Sequence, residues 1–211
     1  MHPYATHTAR WRTIGGLMLT AVVLTVGINT TLETVGQQLG FQAGSISAFA
    51  IFGLLYTTFD RFLWRWPLVR QFTSPPNLNG EWVGEINSSY QPEAEDTDDH
   101  RTPDGGQPID GETQMSISQR WSSIEVEVTN PGSSRSESTS ATFRTHKSDP
   151  ELLFTYVNKP IGEAASELSM HEGTNTLRYT QSVDGDDVLE GEYYTDEQRN
   201  NHGTMRFNRV E

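Results

Sequence analysis

Cysteine is absent from this chain of 211 residues, and lysine occurs only twice, as Lys147 and Lys159. Without thiols there is no disulfide, no thiol nucleophile and no cysteine-ligated zinc. A nucleophile–base–acid set, a histidine-rich metal spacing and a phosphate-cradling glycine loop are also missing. The chain therefore does not read as an enzyme, and no catalytic residue, metal or cofactor is expected. Charge is absent more locally. No charged side chain occurs from Thr13 to Leu32, and none from Thr34 to Phe59.

A bilayer core needs about 20 mostly apolar helical residues, and both stretches supply them. The spacing predicts a two-helix transmembrane hairpin within residues 1–70, with spans at about 13–32 and 41–59. The connecting loop, roughly Asn29 to Gly40, holds only Glu33, whereas Arg10 and Arg12 precede the first span and Arg61, Arg65 and Arg70 follow the second. Arginine stays on the cytoplasmic side, so both termini and everything after the hairpin are expected there, on a multi-pass membrane protein. Trp64 and Trp66 beside Arg61 and Arg65 read as an interfacial belt, and Pro67 as the helix stop. A signal peptide is the competing reading of the first span, but no small-residue cleavage pattern follows it. Within the second span, Ala43, Ser47 and Ala50 share one helical face and predict close helix–helix packing in a self-oligomer.

Residues 1–75 carry five arginines against Glu33 and Asp60, which leaves 26 acids and 10 bases, net −16, on residues 76–211. Such a domain repels DNA, RNA and anionic lipid surfaces. High acid, little lysine and no cysteine also fit a protein adapted to high salt.

After Pro76 the chain alternates polar with apolar instead of following a helical period. Expected strands are Glu81–Asn87, Met115–Trp121, Ile124–Val128, Thr139–Thr145, Leu152–Val157, Thr174–Gln181, Val188–Thr195 and Thr204–Arg209. Asp184-Gly185 is a hairpin turn signal. Eight short antiparallel strands over residues 76–211 predict a mainly β fold, a small closed barrel able to hold one ligand, with a two-sheet sandwich as the alternative. Residues 88–113 are polar and acidic and read as a solvated loop, without calcium-loop spacing.

Pro76-Asn-Leu-Asn-Gly-Glu-Trp-Val-Gly84 opens this region, followed by Gln119-Arg-Trp121, the serine-alternating Ser134–Ala141, and Leu153-Phe-Thr-Tyr-Val-Asn-Lys-Pro160. Met170-His-Glu-Gly173, Leu189–Thr195 and Gly203-Thr204 come after it. This order, behind two apolar spans, resembles the SMODS-associating two-transmembrane, β-strand-rich effectors of bacterial antiphage signalling (CBASS). The resemblance implies a β-barrel receptor for a cyclic dinucleotide made by a partner nucleotide cyclase. It also implies transmembrane helices that oligomerise and disrupt the inner membrane, ending in abortive infection. One relative type implies the opposite sign, in which the ligand represses the effector until it is depleted. A membrane-anchored lipocalin-like carrier and a purely structural anchoring domain are readings from other classes.

A cyclic dinucleotide needs donors for its phosphates, an aromatic face for its bases and amides for their edges. Tyr156 and Asn158 lie two apart on one strand face, as do Tyr193 and Thr195, with Arg199 following as a phosphate fork. Asn158 reads equally as a turn residue before Pro160, and Arg199 as a surface charge. Ser136 and Ser138 belong to a row of hydroxyls that a flexible turn would also explain. His171, inside a family motif, is a phosphate donor or a turn cap, and Gln119 completes the expected ligand-binding set. Trp82 and Trp121 read as core.

Overall fold

A computed structural model describes residues 1–6, 10–40, 44–69, 75–89, 107–108, 112–146, 149–162, 170–181, 187–197 and 201–210. They fall into two units, Thr8–Ser74 and a β unit made of Met1–His7 with Pro75–Glu211.

The β unit is a ten-stranded sheet. Its strands are β1 (His2–Thr6), β2 (Gly80–Ser88), β3 (Gln107–Pro108), β4 (Thr113–Gln119), β5 (Ser123–Asn130), β6 (Ser134–His146), β7 (Asp149–Pro160), β8 (His171–Gln181), β9 (Asp187–Thr195) and β10 (His202–Arg209). All eight expected strands are present, as β2 and β4 to β10. Neighbours in sequence pair antiparallel from β4 through β10, β2 pairs with β4, and β10 returns to pair with β2. The short β3 pairs with β2 and is the one described piece of the 88–113 loop interior. The Asp184-Gly185 turn lies outside the described residues, although β8 and β9 pair up to Gln181 and Asp187 as a hairpin there requires.

Alternation sets one face of each strand against the core. Trp82, Met115, Ile117, Ile124, Phe143, Leu152, Leu177, Leu189 and Phe207 are almost wholly excluded from solvent and form a single cluster. Burying side chains of this size contributes about 1.5–3 kcal/mol each. Leu78 seals one end of the cluster. Its amide donates to Gln119 Oε1 (2.8 Å), and the Trp82 indole donates to the Leu78 carbonyl (3.0 Å). Arg209 stacks over Trp82 at 4.7 Å while reaching Asp187 (2.6 Å) and the Asn77 carbonyl (2.5 Å).

β1 has no counterpart among the sequence expectations. The β5–β6 ladder runs from Asn130↔Ser134 to Glu127↔Glu137, and there the strands part. β1 fills the seam, antiparallel to β5 (His2↔Ile124) and parallel to β6 (Tyr4↔Ala141). A β-bulge at Ser138/Ser140 marks the parting. Ser138 Oγ accepts from the Val126 amide (2.8 Å), replacing the lost ladder partner, and contacts His2 Nε2 at the same distance. Tyr4 packs edge-on against Phe143, with ring centroids 5.3 Å apart.

In the other unit, α1 runs from Arg10 to Leu39 and α2 from Ala48 to Arg61, followed by a 3₁₀ turn at Leu63–Arg65. α1 continues through most of the expected 29–40 loop, because that segment contains no proline and a single charge. Thr20, Thr25, Thr31 and Thr34 donate their hydroxyls to carbonyls four residues back, so none needs water. Among the described helices, α1 alone is long and apolar enough to cross a bilayer. α2 has 14 residues, about 21 Å of helix. Ser47 precedes α2 as its N-cap, accepting from the Phe49 amide. The expected face of Ala43, Ser47 and Ala50 is therefore not a helical face, and Ala43 lies outside the described residues.

The cysteine-free chain makes β1 directly testable. Pro3 and Ser123 are antiparallel register partners, where Cα atoms stand about 4.5–5.5 Å apart, within disulfide reach. Pro3→Cys with Ser123→Cys is expected to form an intramolecular disulfide under mild oxidation, read as a reducible gel shift. Failure to cross-link would remove β1 from the sheet.

Candidate ligand-binding site

The inward face changes character along the strands. One end is apolar; the other carries Ser88, Thr113, Ser134, Asn158, His171 and Asn175, all buried. Register explains the grouping. Phe154, Asn175, Tyr193, Gly203 and Ser88 are successive partners across β7, β8, β9, β10 and β2. Ser138, Tyr156, Gly173 and Thr195 form the next row, and Ser136, Asn158 and His171 the one beyond.

Glycine in these rows makes room for aromatic rings. A Cβ on Gly173 would sit 2.3 Å from Tyr156 Oη, and one on Gly203 would sit 2.6 Å from the Tyr193 ring. Each tyrosine thus lies across a bare stretch of backbone. Tyr193 spans Gly203 to donate to Ser88 Oγ at 2.6 Å. Tyr156 meets the His171 ring edge-on at 6.4 Å. Asn158 Nδ2 donates to Ser136 Oγ (2.8 Å) and Ser134 Oγ (3.1 Å), which commits both of its N–H groups. Thr113 Oγ1 donates to Asn130 Oδ1 (2.8 Å). Aromatic faces, hydroxyls and amide acceptors converge here, the groups that stack on bases and grip their edges.

The structure brings Tyr156, Asn158, His171, Tyr193 and Ser136 together at this end. Thr195 lies in the same region, but its hydroxyl is occupied in the β9–β10 connection, donating to the Asn201 carbonyl (3.0 Å) and accepting from the Asn201 amide (2.8 Å). Ser138 serves the β5–β6 seam. Gln119 sits at the opposite end, holding Leu78 and donating to the Pro76 carbonyl at 3.1 Å. Arg199 lies outside the described residues. Sequence reasoning missed Asn175, Ser88 and Thr113, whereas Ser134 belongs to the expected row of hydroxyls. Strand parity from His171 reaches Asn175 through Gly173 and was the available signal.

At this end Arg135 and Lys159 are register partners on the outward face, paired with Glu127 and Glu137. Among the described residues, therefore, no lysine or arginine faces inward here, and no cluster of metal-ligating side chains is present. On the outer face, a groove of about 630 Å³ is lined by Glu85, Glu151, Glu190 and Glu192 with Arg178 and Arg206. Arg206 is already paired with Glu190 at 2.8 Å. Four carboxylates make that groove hostile to an anion, which leaves the inward polar end as the better seat for one.

A β-rich receptor domain carried on a chain with an apolar N-terminal helix is the class these features define. The family model described as "Cap15, cyclic dinucleotide receptor domain" matches residues 73–209, and the chain belongs to that family. This bears out the resemblance read from the motifs between Pro76 and Thr204. CD-NTase-associated protein 15 from Yersinia aleksiciae is 28% identical over 167 residues, covering 79% of this chain and 71% of that protein. No solved structure matches at a significant level.

Gly173→Ala is expected to destabilise the fold by about 1–3 kcal/mol, since the new methyl meets Tyr156 Oη and the Tyr194 carbonyl oxygen (2.5 Å). Urea denaturation of the purified full chain checks this. An unchanged midpoint would mean that the tyrosine does not lie across the glycine.

Proposed function

We propose that this protein is a membrane effector of CBASS antiphage defence. In this reading the closed strand circuit is a cytoplasmic β-barrel receptor for a cyclic dinucleotide supplied by a partner nucleotide cyclase. The ligand sits at the inward polar end and controls oligomerisation of the membrane helices. Their assembly disrupts the inner membrane and causes abortive infection. The observation that carries the reading is the convergence of Tyr156, Tyr193, Asn158, His171 and Ser136 inside one end of a receptor-family domain. A carrier of apolar molecules would require a greasy interior at that end, and six buried polar residues oppose it.

Several features support a hairpin with its β unit on the cytoplasmic side. Residues on both flanks of the apolar segment, β1 before it and β2 after it, belong to the β unit, so the chain leaves that unit and returns to it. An even number of crossings satisfies this. Arg12 stacks on the exposed Trp11 at 5.6 Å. On the second flank Trp66 is exposed next to Arg65 whereas the expected Trp64 is buried, so Trp11 and Trp66 are the rings available as interfacial anchors. Asn29 of α1 exchanges two hydrogen bonds with the Ile46 backbone (3.1 and 2.8 Å). That staple satisfies the extended residues ahead of α2, as non-helical backbone within a bilayer must be. The second crossing then comprises this extended stretch and α2 together.

Two measurements test the reading. Titration calorimetry of the full chain in detergent is expected to find a tight-binding 3′,3′-linked cyclic dinucleotide, and Tyr193→Ala is expected to weaken it by about tenfold to a hundredfold. Affinity is expected to rise with moderate salt, because screening removes the repulsion of a −16 domain first. A panel with no binder rejects the receptor. For topology, single cysteines at Leu39 and Ser140 are expected to react with an impermeant maleimide from opposite sides of the inner membrane. Labelling of both from one side rejects the hairpin.

A further inference from the structure

Asn175 is a buried polar side chain whose amide oxygen the fold leaves unused. It is 1% exposed, and its amide oxygen accepts no hydrogen bond. Its buried polar neighbours are tied: Ser88 by Tyr193, Thr113 to Asn130, and Asn158 to Ser134 and Ser136. An acceptor withdrawn from water without a partner destabilises a protein, and an apolar residue of the same size would remove that cost. The register partners of Asn175, Phe154 and Tyr193, would pack well against a leucine. An asparagine standing there serves something other than stability.

We propose that Asn175 is a specificity-determining residue of the ligand site, accepting a hydrogen bond from the exocyclic amine of one base of a cyclic dinucleotide; this rests on the receptor reading above. Only a donor completes an orphaned acceptor. An exocyclic amine projects from the base edge and reaches a recessed oxygen, whereas a ring N–H lies within the edge. Tyr156, lying across Gly173 at the next inward position on β8, and Tyr193, the register partner of Asn175, set aromatic rings on either side of it. A site built to bond a donor rejects the analogue that lacks it, because the buried acceptor is then left unpaired.

The experiment compares wild type with Asn175→Leu in the full detergent-solubilised chain, reading melting temperature and affinity. The probes are the tightest-binding 3′,3′-linked cyclic dinucleotide and its analogues with one exocyclic amine replaced by hydrogen. Without ligand, Asn175→Leu is expected to melt about 2–5 °C higher. It is expected to bind the parent ligand at least tenfold more weakly. One analogue is expected to lose tenfold or more on wild type and less than twofold on the variant. Should the leucine variant not fold, Asn175→Ala supplies the same comparison of ligand with analogue. Wild type and variant binding alike within twofold, or an equal analogue loss on both, overturns the inference while leaving the receptor intact. A lowered melting temperature with unchanged affinity would assign Asn175 to structure alone. A wild type that binds no cyclic dinucleotide defeats the receptor reading, and this inference with it.

Discussion

The ladder between β10 and β2 is the constraint on which the rest of the β unit depends. These strands lie more than a hundred residues apart, yet they pair continuously from Gly203↔Ser88 to Arg209↔Trp82. A one-residue slip would turn the inward face of either strand outward. Register is pinned at both ends by side chains. Arg209 clamps Trp82, Asp187 and Asn77 at the apolar end, and Tyr193 reaches across Gly203 to Ser88 at the polar end. The second of these contacts belongs to the candidate site as much as to the fold. Closure and site geometry are therefore one arrangement, and a ligand that engages Tyr193 acts directly on the seam.

The polar end is built with few spare donors. Asn158 spends both N–H groups on two serines, and the nearest cations among the described residues, Arg135 and Lys159, face outward and are paired with Glu127 and Glu137. What remains is hydroxyls, a histidine, two tyrosine rings and amide oxygens. This inventory favours a ligand rich in base edges over one held mainly by charge. It also suits a domain of net charge −16, whose long-range field works against any phosphate and leaves recognition to short-range contacts.

The strands were legible because alternation between core and solvent is a local property, and all eight could be placed to within a few residues. β1 was not, since a five-residue segment beginning His-Pro shows no usable period and owes its place to a gap made by a bulge 130 residues away. Helix ends were missed for a related reason. Threonines that bond back to the backbone let α1 continue through a segment that composition alone marks as a loop. Among the candidate site residues, strand parity put Tyr156 with Asn158 on one strand face, and that face is the inward one in the structure. Parity cannot say which end of a strand is capped or which hydroxyl is already engaged, and that is why Ser138, Thr195 and Gln119 turned out to hold structure. Asn175 carried the same parity as His171, but its unpaired oxygen exists only once the strands have closed.

Occupancy of the polar end should change the assembly of the membrane helices, and that link is the central claim. It is tested most directly by reconstituting the full chain in dye-loaded vesicles and adding the tightest-binding cyclic dinucleotide on the side exposing the β unit. The account predicts a ligand-dependent change in dye release, either onset or arrest, that Tyr156→Ala abolishes at the same ligand concentration. Dye release indifferent to a ligand that calorimetry shows bound would contradict it.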